Sequence, residues 1–259
     1  MSRTEQQAGK AAVIFGGTAG IGFASARAML AGDVTSLMLN GRNAKRAAGA
    51  VEKLSAEFPA ADIRYHAVDA TSAAGSQAVV DAAMTAFGRI DQAVLSISPT
   101  IVPAPFQRAS LDDVDRAVND LFRGVIYICK AVLDQMRPVK QGSITAIVSD
   151  AGKHPTPGES FIGGCMAGIM MFVRTAAFEE KRNGIRLNCV SPSIVAGTDL
   201  YDVLMSDRFS QKLFEKAEQR ADLGIVEPDE VASLVAFLAG DQAAKITGQS
   251  VSVNGGIST

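Results

Sequence analysis

Short apolar runs alternate with longer amphipathic segments along most of the 259-residue chain. Most of the runs lack a polar alternation, which is typical of strands covered on both faces. Those predicted to be strands are residues 11–15, 34–39, 62–68, 91–97, 143–148, 185–190 and 250–253. The segments between them have the length that a crossover helix between parallel strands requires.

This alternation predicts the α/β fold class. We expect residues 1–259 to form a single Rossmann-like, doubly wound domain with a parallel sheet of about seven strands. No repeat, low-complexity tract or Pro/Ser-rich linker divides the chain. Residues 193–226 do not follow the alternation of strands and helices, and we interpret this segment as a helical flap over the functional site.

Charge and composition exclude several classes of partner. The 27 acidic and 25 basic residues give a net charge of −2 without a long block of one sign, which argues against nucleic acid and against an anionic membrane. The polar start "MSRTEQQAGK" lacks the apolar run of a signal peptide. Three cysteines without metal-ligand spacing are typical of a reduced compartment. We expect a cytoplasmic protein that holds no metal and binds a small molecule.

The first predicted strand leads into "FGGTAGIGFASARAML", where glycines 16, 20 and 22 open a helix. Such a loop permits a tight turn and close approach of the backbone to a pyrophosphate, whose charge then faces the helix N-terminus. A glycine-rich strand–helix turn can also be nothing more than a turn. Its position after the first strand of an alternating chain favours dinucleotide binding.

Five motifs in chain order carry a resemblance to a known family: "GGTAGIG", "GRN", "VDAT", "NGIRLNCVSP" and "ITGQSVSVNGG". Over about residues 10–257 the chain resembles the short-chain dehydrogenase/reductase family. The resemblance implies a nicotinamide dinucleotide cofactor and an oxidoreductase activity. It speaks more for the fold than for the activity, because function depends on the site.

The resemblance also points to the form of the cofactor. Where an NAD-preferring member carries an acid after the second strand, this chain has Gly41 followed by Arg42. A guanidinium suits a 2′-phosphate, so NADP(H) is expected; the alternative is a solvated loop arginine. The cofactor-binding residues implied by the resemblance are Gly16, Thr18, Gly20, Ile21, Gly22, Arg42, Asp69, Ser96, Pro192 and Thr198.

Two departures from the family pattern lie at the nicotinamide end. Phe15 stands where the family usually has a threonine, and "LSIS" (95–98) aligns with its usual Asn-Asn-Ala-Gly. Asp69 matches the acid that members place near the adenine, although a helix-capping aspartate would look the same. These departures affect the nicotinamide end without removing the phosphate loop.

The resemblance implies four catalytic groups, of which one remains. Family members use a Tyr that donates a proton to the carbonyl oxygen, a Lys that lowers the pKa of that Tyr, a Ser that binds the oxygen, and an Asn that holds a relay water. Ser149 occupies the serine position. The Tyr, Lys and Asn positions are occupied by Ile162, Met166 and Leu121. Proton delivery is therefore expected to be non-standard.

Several neighbouring side chains are possible substitutes. Asp150 is either a counter-ion for a cationic substrate or a loop hydrogen-bonding group, and Arg123 either pairs with it or is solvated. His154 is either a proton carrier near neutral pH or an exposed loop residue. Glu159 lies in the same loop, and Tyr201 of the flap either reaches the substrate or packs.

The leading hypothesis is an NADP(H)-dependent oxidoreductase acting on an iminium or an activated C=N or C=C acceptor. An iminium already carries the positive charge that a catalytic proton supplies to a carbonyl. The alternatives are an inactive pseudoenzyme subunit paired with an active homologue, and a lyase or cyclase that holds the cofactor without net redox chemistry. The uncharged stretch 161–173 also predicts a homo-oligomer, a tetramer or dimer, because such a face is too apolar to leave in water.

Overall fold

The strands predicted from the apolar runs form one parallel sheet. In the computed structural model, which describes residues 9–97 and 101–258, the sheet order is β3-β2-β1-β4-β5-β6-β7. The strands are β1 (Lys10–Phe15), β2 (Val34–Gly41), β3 (Asp62–Ala67), β4 (Gln92–Leu95), β5 (Gly142–Ile147), β6 (Ile185–Pro192) and β7 (Ser250–Val253). The predicted doubly wound α/β fold with seven strands is confirmed. The fourth strand is shorter than predicted, and Ser98 of "LSIS" lies outside the described residues.

Helices connect the strands on both faces of the sheet. They are α1 (Gly20–Leu30), α2 (Ala44–Glu57), α3 (Ala73–Phe87), α4 (Leu111–Ala117), α5 (Gly124–Val139), α6 (Ser160–Glu180), α7 (Asp199–Ser206), α8 (Arg208–Glu218) and α9 (Pro228–Ala239). A π-helical segment, Val118–Arg123, joins α4 to α5. The side chains of Asn43, Ser72, Thr198 and Asp207 cap α2, α3, α7 and α8 by accepting backbone N–H groups, which fixes where these helices begin.

The core lies in two layers, one on each face of the sheet. Val13 and Phe15 of β1 point into the layer formed with α3, α5 and α6, whereas Ala12 and Ile14 point into the layer formed with α1 and α9. Because successive side chains of a strand point to opposite faces, both layers need apolar residues at every position. This explains why the strands appear as continuous apolar runs.

Helix α6 belongs to the first of these layers. By length and composition, Ser160–Asn183 is apolar enough to cross a membrane, with a mean hydropathy of 1.6. However, Ile162, Ile169 and Val173 are buried against the sheet and its neighbouring helices. The core helix of a water-soluble domain passes the same test of length and composition, so the helix is explained by packing.

The segment 193–226 contains α7 and α8, as the helical prediction required. Its ends are tied together by a bridge between Val195 and Val226. Ile194, Leu204 and Phe214 form a small apolar cluster of their own, separate from the two main layers. The flap is therefore joined to the domain at its base, and contacts along α7 and α8 add to this: Asp199 pairs with Arg46, and the Ser210 hydroxyl donates to the Pro103 carbonyl.

Candidate functional site

A cavity of about 910 Å³ opens at the carboxyl ends of the strands, where doubly wound folds bind their ligands. The flap forms one wall. The residues predicted for the site that line it are Gly16, Thr18, Gly20, Ile21, Arg42, Asp69, Ser96, Ser149, Asp150, His154, Ile162, Met166, Pro192 and Thr198. Gly22 packs beneath the glycine loop, and Leu121 is buried in the core. The structure thus brings nearly all of these residues to one cavity.

The glycine loop is folded too tightly for side chains. Gly16 has φ +77°, and a Cβ there would lie 2.1 Å from the carbonyl oxygen of Ser96. A Cβ on Gly22 would lie 2.2 Å from the carbonyl oxygen of Gly16. No described side chain caps the start of α1, which leaves its first N–H groups for an anion. The loop fits the pyrophosphate of a dinucleotide.

The far end of the cavity is basic. Arg42 lines it from the end of β2, and Gly41 beside it has no room for a side chain because a Cβ would lie 2.9 Å from the Thr18 hydroxyl. Arg46, the third residue of α2, also lines the cavity and pairs with Asp199 of the flap. Sequence reasoning missed Arg46, although a further arginine shortly after Arg42 in "GRNAKR" was a usable signal.

The Asp69 side chain stabilises the turn that follows β3. Its Oδ1 accepts hydrogen bonds from the Thr71 hydroxyl at 2.7 Å and from the Thr71 backbone N–H at 3.0 Å. The Thr71 hydroxyl, helped by the charge of Arg42, holds the pKa of Asp69 below its usual range. The side chain therefore orders the loop, and it also faces the cavity.

Ser149 ends β5 on the cavity wall. Its Oγ accepts a hydrogen bond from the Ala151 N–H at 3.2 Å, which holds the side chain at the start of a short 3-10 turn, Asp150–Gly152. Within the described residues the hydroxyl hydrogen has no protein acceptor. It can therefore donate to a ligand in the cavity.

Both carboxylate oxygens of Asp150 accept hydrogen bonds from other residues of the protein. Its Oδ1 accepts from the hydroxyls of Ser191 at 2.7 Å and Ser252 at 3.1 Å. Its Oδ2 accepts from the Ser258 hydroxyl at 2.6 Å and from the Asn254 amide. Of the two interpretations of Asp150, these contacts favour the hydrogen-bonding one over a counter-ion for substrate.

Of the two interpretations of Arg123, the pairing with Asp150 is wrong, and the side chain is exposed. The Arg123 guanidinium donates to Asn119 Oδ1 at 2.5 Å and to the Tyr127 hydroxyl at 2.7 Å, along the outer face of the π-helical segment and α5. Asn119 and Tyr127 each lie four residues from Arg123 in the sequence, so Arg123 is engaged by near neighbours in the chain. Leu121, on the other face of that segment, is 2% exposed.

Two apolar side chains of α6 form the wall opposite the flap. Ile162 and Met166 line the cavity and are almost fully covered by the protein. Cys165 between them is buried, and burial raises the pKa of its thiol, which suits a core residue rather than a nucleophile. This end of the cavity therefore offers little to stabilise a new charge.

His154 and Tyr201 face the cavity from opposite sides. His154 is half-buried on the loop after β5, where its backbone N–H donates to the Asp150 carbonyl at 2.8 Å. The Tyr201 hydroxyl donates to Glu218 Oε1 at 3.0 Å, and that bond raises the pKa of the phenol. Tyr201 thus ties α7 to α8, whereas His154 remains available to a ligand.

Glu159 is the titratable group that sequence reasoning undervalued. It lies on the cavity wall immediately before α6, and burial raises the pKa of its carboxyl to about 7. Within the described residues no side chain donates to it or pairs with it. The apolar flanks in "PGESFIGG" were the one available signal, and they did not show that the carboxyl would be buried.

Comparison with known proteins identifies the family. The profile described as enoyl-(acyl carrier protein) reductase matches residues 16–258, which include the whole cavity from the glycine loop to Ser258. The chain belongs to the short-chain dehydrogenase/reductase family. The match supports the resemblance carried by the five sequence motifs.

Relatives within the short-chain dehydrogenase/reductase family extend over the full domain. The 3-oxoacyl-(acyl-carrier-protein) reductase FabG of Chlamydia muridarum is 28% identical over 96% of this chain and 97% of its own. A short-chain type dehydrogenase/reductase from Mycobacterium ulcerans superposes with a TM-score of 0.88 at 26% identity, over 96% of this chain and 89% of that one. YwfH, described as an NADPH dependent reductase involved in bacilysin biosynthesis, superposes with a TM-score of 0.88 at 25% identity, over 97% of this chain and 99% of that one.

Proposed function

We propose that this short-chain dehydrogenase/reductase is an NADP(H)-dependent oxidoreductase that reduces C=N acceptors with non-standard proton delivery. One observation carries the proposal. A single cavity runs from the glycine loop and Arg42 to Ser149, and Ile162 and Met166 form its wall where the family places its Tyr and Lys.

The cofactor assignment is supported at the pyrophosphate and at the 2′-phosphate of the adenosine half. Gly16 and Gly22 form a cradle that any Cβ would fill, and the start of α1 faces it. Arg42 supplies a cation where a 2′-phosphate would lie, and the absence of a side chain at Gly41 leaves that place without an acid. The similarity to YwfH, described as NADPH dependent, agrees with this choice.

The residues of the reaction end favour an acceptor that does not become an anion. NADPH, when bound, supplies the hydride. Reduction of a ketone leaves an alkoxide, which the apolar side chains of Ile162 and Met166 do not stabilise. Reduction of an iminium leaves a neutral amine, so the same side chains favour the product. Ser149 positions the acceptor through its hydroxyl.

A matched panel of substrates tests this function. We expect NADPH to be consumed with a cyclic imine, and ketone reduction to be slower by about 10²–10⁴-fold, the usual contribution of general acid catalysis. The change in NADPH absorbance measures both rates. Fast turnover of ordinary ketones would contradict the proposal. Tight cofactor binding without turnover of any acceptor would instead support the inactive pseudoenzyme.

Arg42→Ala should weaken NADP(H) binding by roughly 10- to 100-fold while leaving NAD(H) binding nearly unchanged, because a hydrogen bond to a charged group contributes about 1.5–3 kcal/mol. Calorimetric titration with both cofactors measures the change. Lys45→Ala is the matched control, since Lys45 is an exposed cation of α2 that does not line the cavity. Equal loss for both cofactors would mean that Arg42 acts on the loop rather than on the 2′-phosphate.

We also propose that the protein associates with itself through the outer face of α6. Met171 is 61% exposed and Phe178 is 70% exposed, beside a shallow depression of about 490 Å³ that reaches the start of β7. Large apolar side chains grouped in this way mark an interaction surface.

Phe178→Asp should therefore convert the assembly to monomers at micromolar concentration, because a buried unpaired carboxylate opposes association. Light scattering measures the mass. Leu223→Asp is the control, since Leu223 is also a highly exposed apolar residue, at 87%, but lies beyond α8. A monomeric unmodified protein would refute the proposal, and purification only with a different homologous chain would favour a hetero-oligomer with an active homologue.

A further inference from the structure

The loop between β5 and α6 carries two carboxyl groups with opposite environments. Asp150 accepts hydrogen bonds from four side chains, so its oxygens are committed to the protein. Glu159, nine residues later, faces the cavity and has no described side-chain partner. A half-buried carboxyl that faces a cavity and has no partner within the described part of the protein is a candidate for contact with a ligand.

We propose that Glu159 is the acid–base residue of the cavity: it protonates the nitrogen of a C=N acceptor and then, as a carboxylate, holds the resulting iminium. This rests on the proposed reduction of C=N acceptors and goes beyond it by naming the proton donor. Neither Tyr201, tied to Glu218, nor the occupied Asp150 can serve in its place.

The backbone fixes Glu159 at the reaction end. Glu159 is the N-cap residue of α6, three residues before Ile162, and both residues line the cavity together with Ser149. Gly158 has φ +87°, and a Cβ there would lie 2.5 Å from the ring of Phe209 in α8. The Gly158 carbonyl also accepts a hydrogen bond from the Ala104 N–H at 3.0 Å. The residue before Glu159 is therefore pinned between two other segments.

The surroundings keep the carboxyl partly protonated at neutral pH. Burial raises the pKa of Glu159 to about 7. A proton donor works best when its pKa lies near the working pH.

Each element packed near Glu159 contributes charged or titratable groups. The π-helical segment brings Asp120 to the cavity, while its Arg123 is engaged by Asn119 and Tyr127. Arg116 of α4 pairs with Asp113. The other groups on the cavity wall near this end are Asp150, His154, Tyr201, Lys216 and Arg220. None of the described cations pairs with the Glu159 carboxyl.

The proton balance of the step suits nitrogen rather than oxygen. The O–H bond of Glu159 breaks as an N–H bond forms on a neutral imine, which gives an iminium beside a carboxylate. The iminium carbon then accepts the hydride that NADPH supplies, and the π-electron pair becomes the lone pair of the amine nitrogen. Glu159 regains a proton from solvent, through His154 on the same loop. A carbonyl oxygen is far less basic than an imine nitrogen, so the same carboxyl cannot protonate it fully.

Two acceptors separate the two states of Glu159. With 2-methyl-1-pyrroline and NADPH, Glu159→Gln should lose about 10²–10⁴-fold in kcat/KM, whereas Glu179→Gln, an exposed position of α6, should be unchanged. With the permanently charged 1,2-dimethyl-1-pyrrolinium, kcat/KM should rise as pH passes through about 7 in the unmodified protein, because the carboxylate pairs with the cation. In Glu159→Gln that pH dependence should disappear.

Measurements without turnover complete the test. Infrared spectra should show a protonated-carboxyl band at pH 6 that is absent at pH 8 and absent in Glu159→Gln, but present in Glu179→Gln. A raised carboxyl pKa contributes stability below its unfolded value, and this stability is lost as pH rises through about 7. The melting temperature of Glu159→Gln should therefore be higher than that of the unmodified protein at pH 8 and nearly the same at pH 5. The same melting curves verify that the variant folds.

The outcomes distinguish the two proposals. If the unmodified protein reduces no C=N acceptor, the proposed function fails. Glu159 is then still tested by the infrared band and by the binding of 1,1-dimethylpyrrolidinium, a saturated cation that cannot accept a hydride, whose affinity should rise with pH. If imine reduction is fast in both the unmodified protein and Glu159→Gln, the assignment of Glu159 is overturned and the proposed function stands. Loss of activity in Glu159→Gln without loss of the infrared band would also overturn it.

Discussion

Asp150→Ala is expected to destabilise the protein by about 3–5 kcal/mol, because each donor left buried without its acceptor costs about 1–3 kcal/mol. The carboxyl accepts hydrogen bonds from Ser191, Ser252, Asn254 and Ser258. Without it, Ser191 and Asn254, which are both buried, lose this acceptor, and an unsatisfied buried group is costly. For a domain of this size the melting temperature should fall by roughly 6–15 °C.

The position of the network explains why the effect should extend to the site. Asp150 joins the turn after β5 to β6, to β7 and to the C-terminal segment, and Ser258 of that segment lines the cavity. Loss of the carboxyl therefore loosens the wall beside Ser149. We expect the affinity for NADPH to fall together with the melting temperature.

Thermal unfolding and calorimetric titration measure both changes. Asp112→Ala is the matched control, because Asp112 is exposed at the start of α4 and should leave both values nearly unchanged. The stability of Asp150→Asn should lie between those of the two alanine variants, since the single amide oxygen can accept from only one pair of donors. An Asp150→Ala protein of normal stability that has lost turnover would show that Asp150 serves the substrate instead.

The fold could be predicted because its signals are local. Each strand is an apolar run covered on both faces, and the glycine loop follows the first of them, so neighbouring residues carry the information. The parallel sheet follows from the alternation of strands and helices. By their spacing from Ser149, Ile162 and Met166 were also predicted to stand at the family's Tyr and Lys positions, and this stays a prediction.

The roles of the two loop carboxyls could not be predicted, because they depend on distant parts of the chain. The donors to Asp150 lie 41, 102, 104 and 108 residues further along the sequence. Glu159 has no such donors, and its raised pKa comes from burial beside segments that meet only in the folded protein. The sequence shows two acidic residues in one loop, and packing decides which of them is available to a ligand.

Ile162→Tyr together with Met166→Lys is expected to raise kcat/KM for simple ketones by about 10²-fold, the lower part of the range for general acid catalysis. The two substitutions place a phenol and an ammonium on the cavity wall, where Ser149 is already present to hold the carbonyl oxygen. The tyrosine then donates a proton to the alkoxide product, and the lysine favours the ionised form of the tyrosine.

Two features limit the gain. Leu121 still occupies the position where the family holds a relay water, and it is buried in the core. Met166 is only 5% exposed, so a lysine there needs partners that the apolar wall does not supply. The variant should therefore melt at a lower temperature, and its lysine should work best when the cofactor ribose is in place.

Matched variants isolate the chemistry from the packing. Ile162→Phe with Met166→Lys adds the same ring without a proton and should gain nothing, and adding Ser149→Ala to the Tyr/Lys variant should remove most of the gain. NADPH consumption with one ketone and one cyclic imine measures each protein. A proton donor placed beside Ser149 should raise the rate of ketone reduction. If the Tyr/Lys variant folds and binds NADPH but reduces ketones no faster than the phenylalanine control, then positions 162 and 166 do not limit carbonyl reduction in this protein.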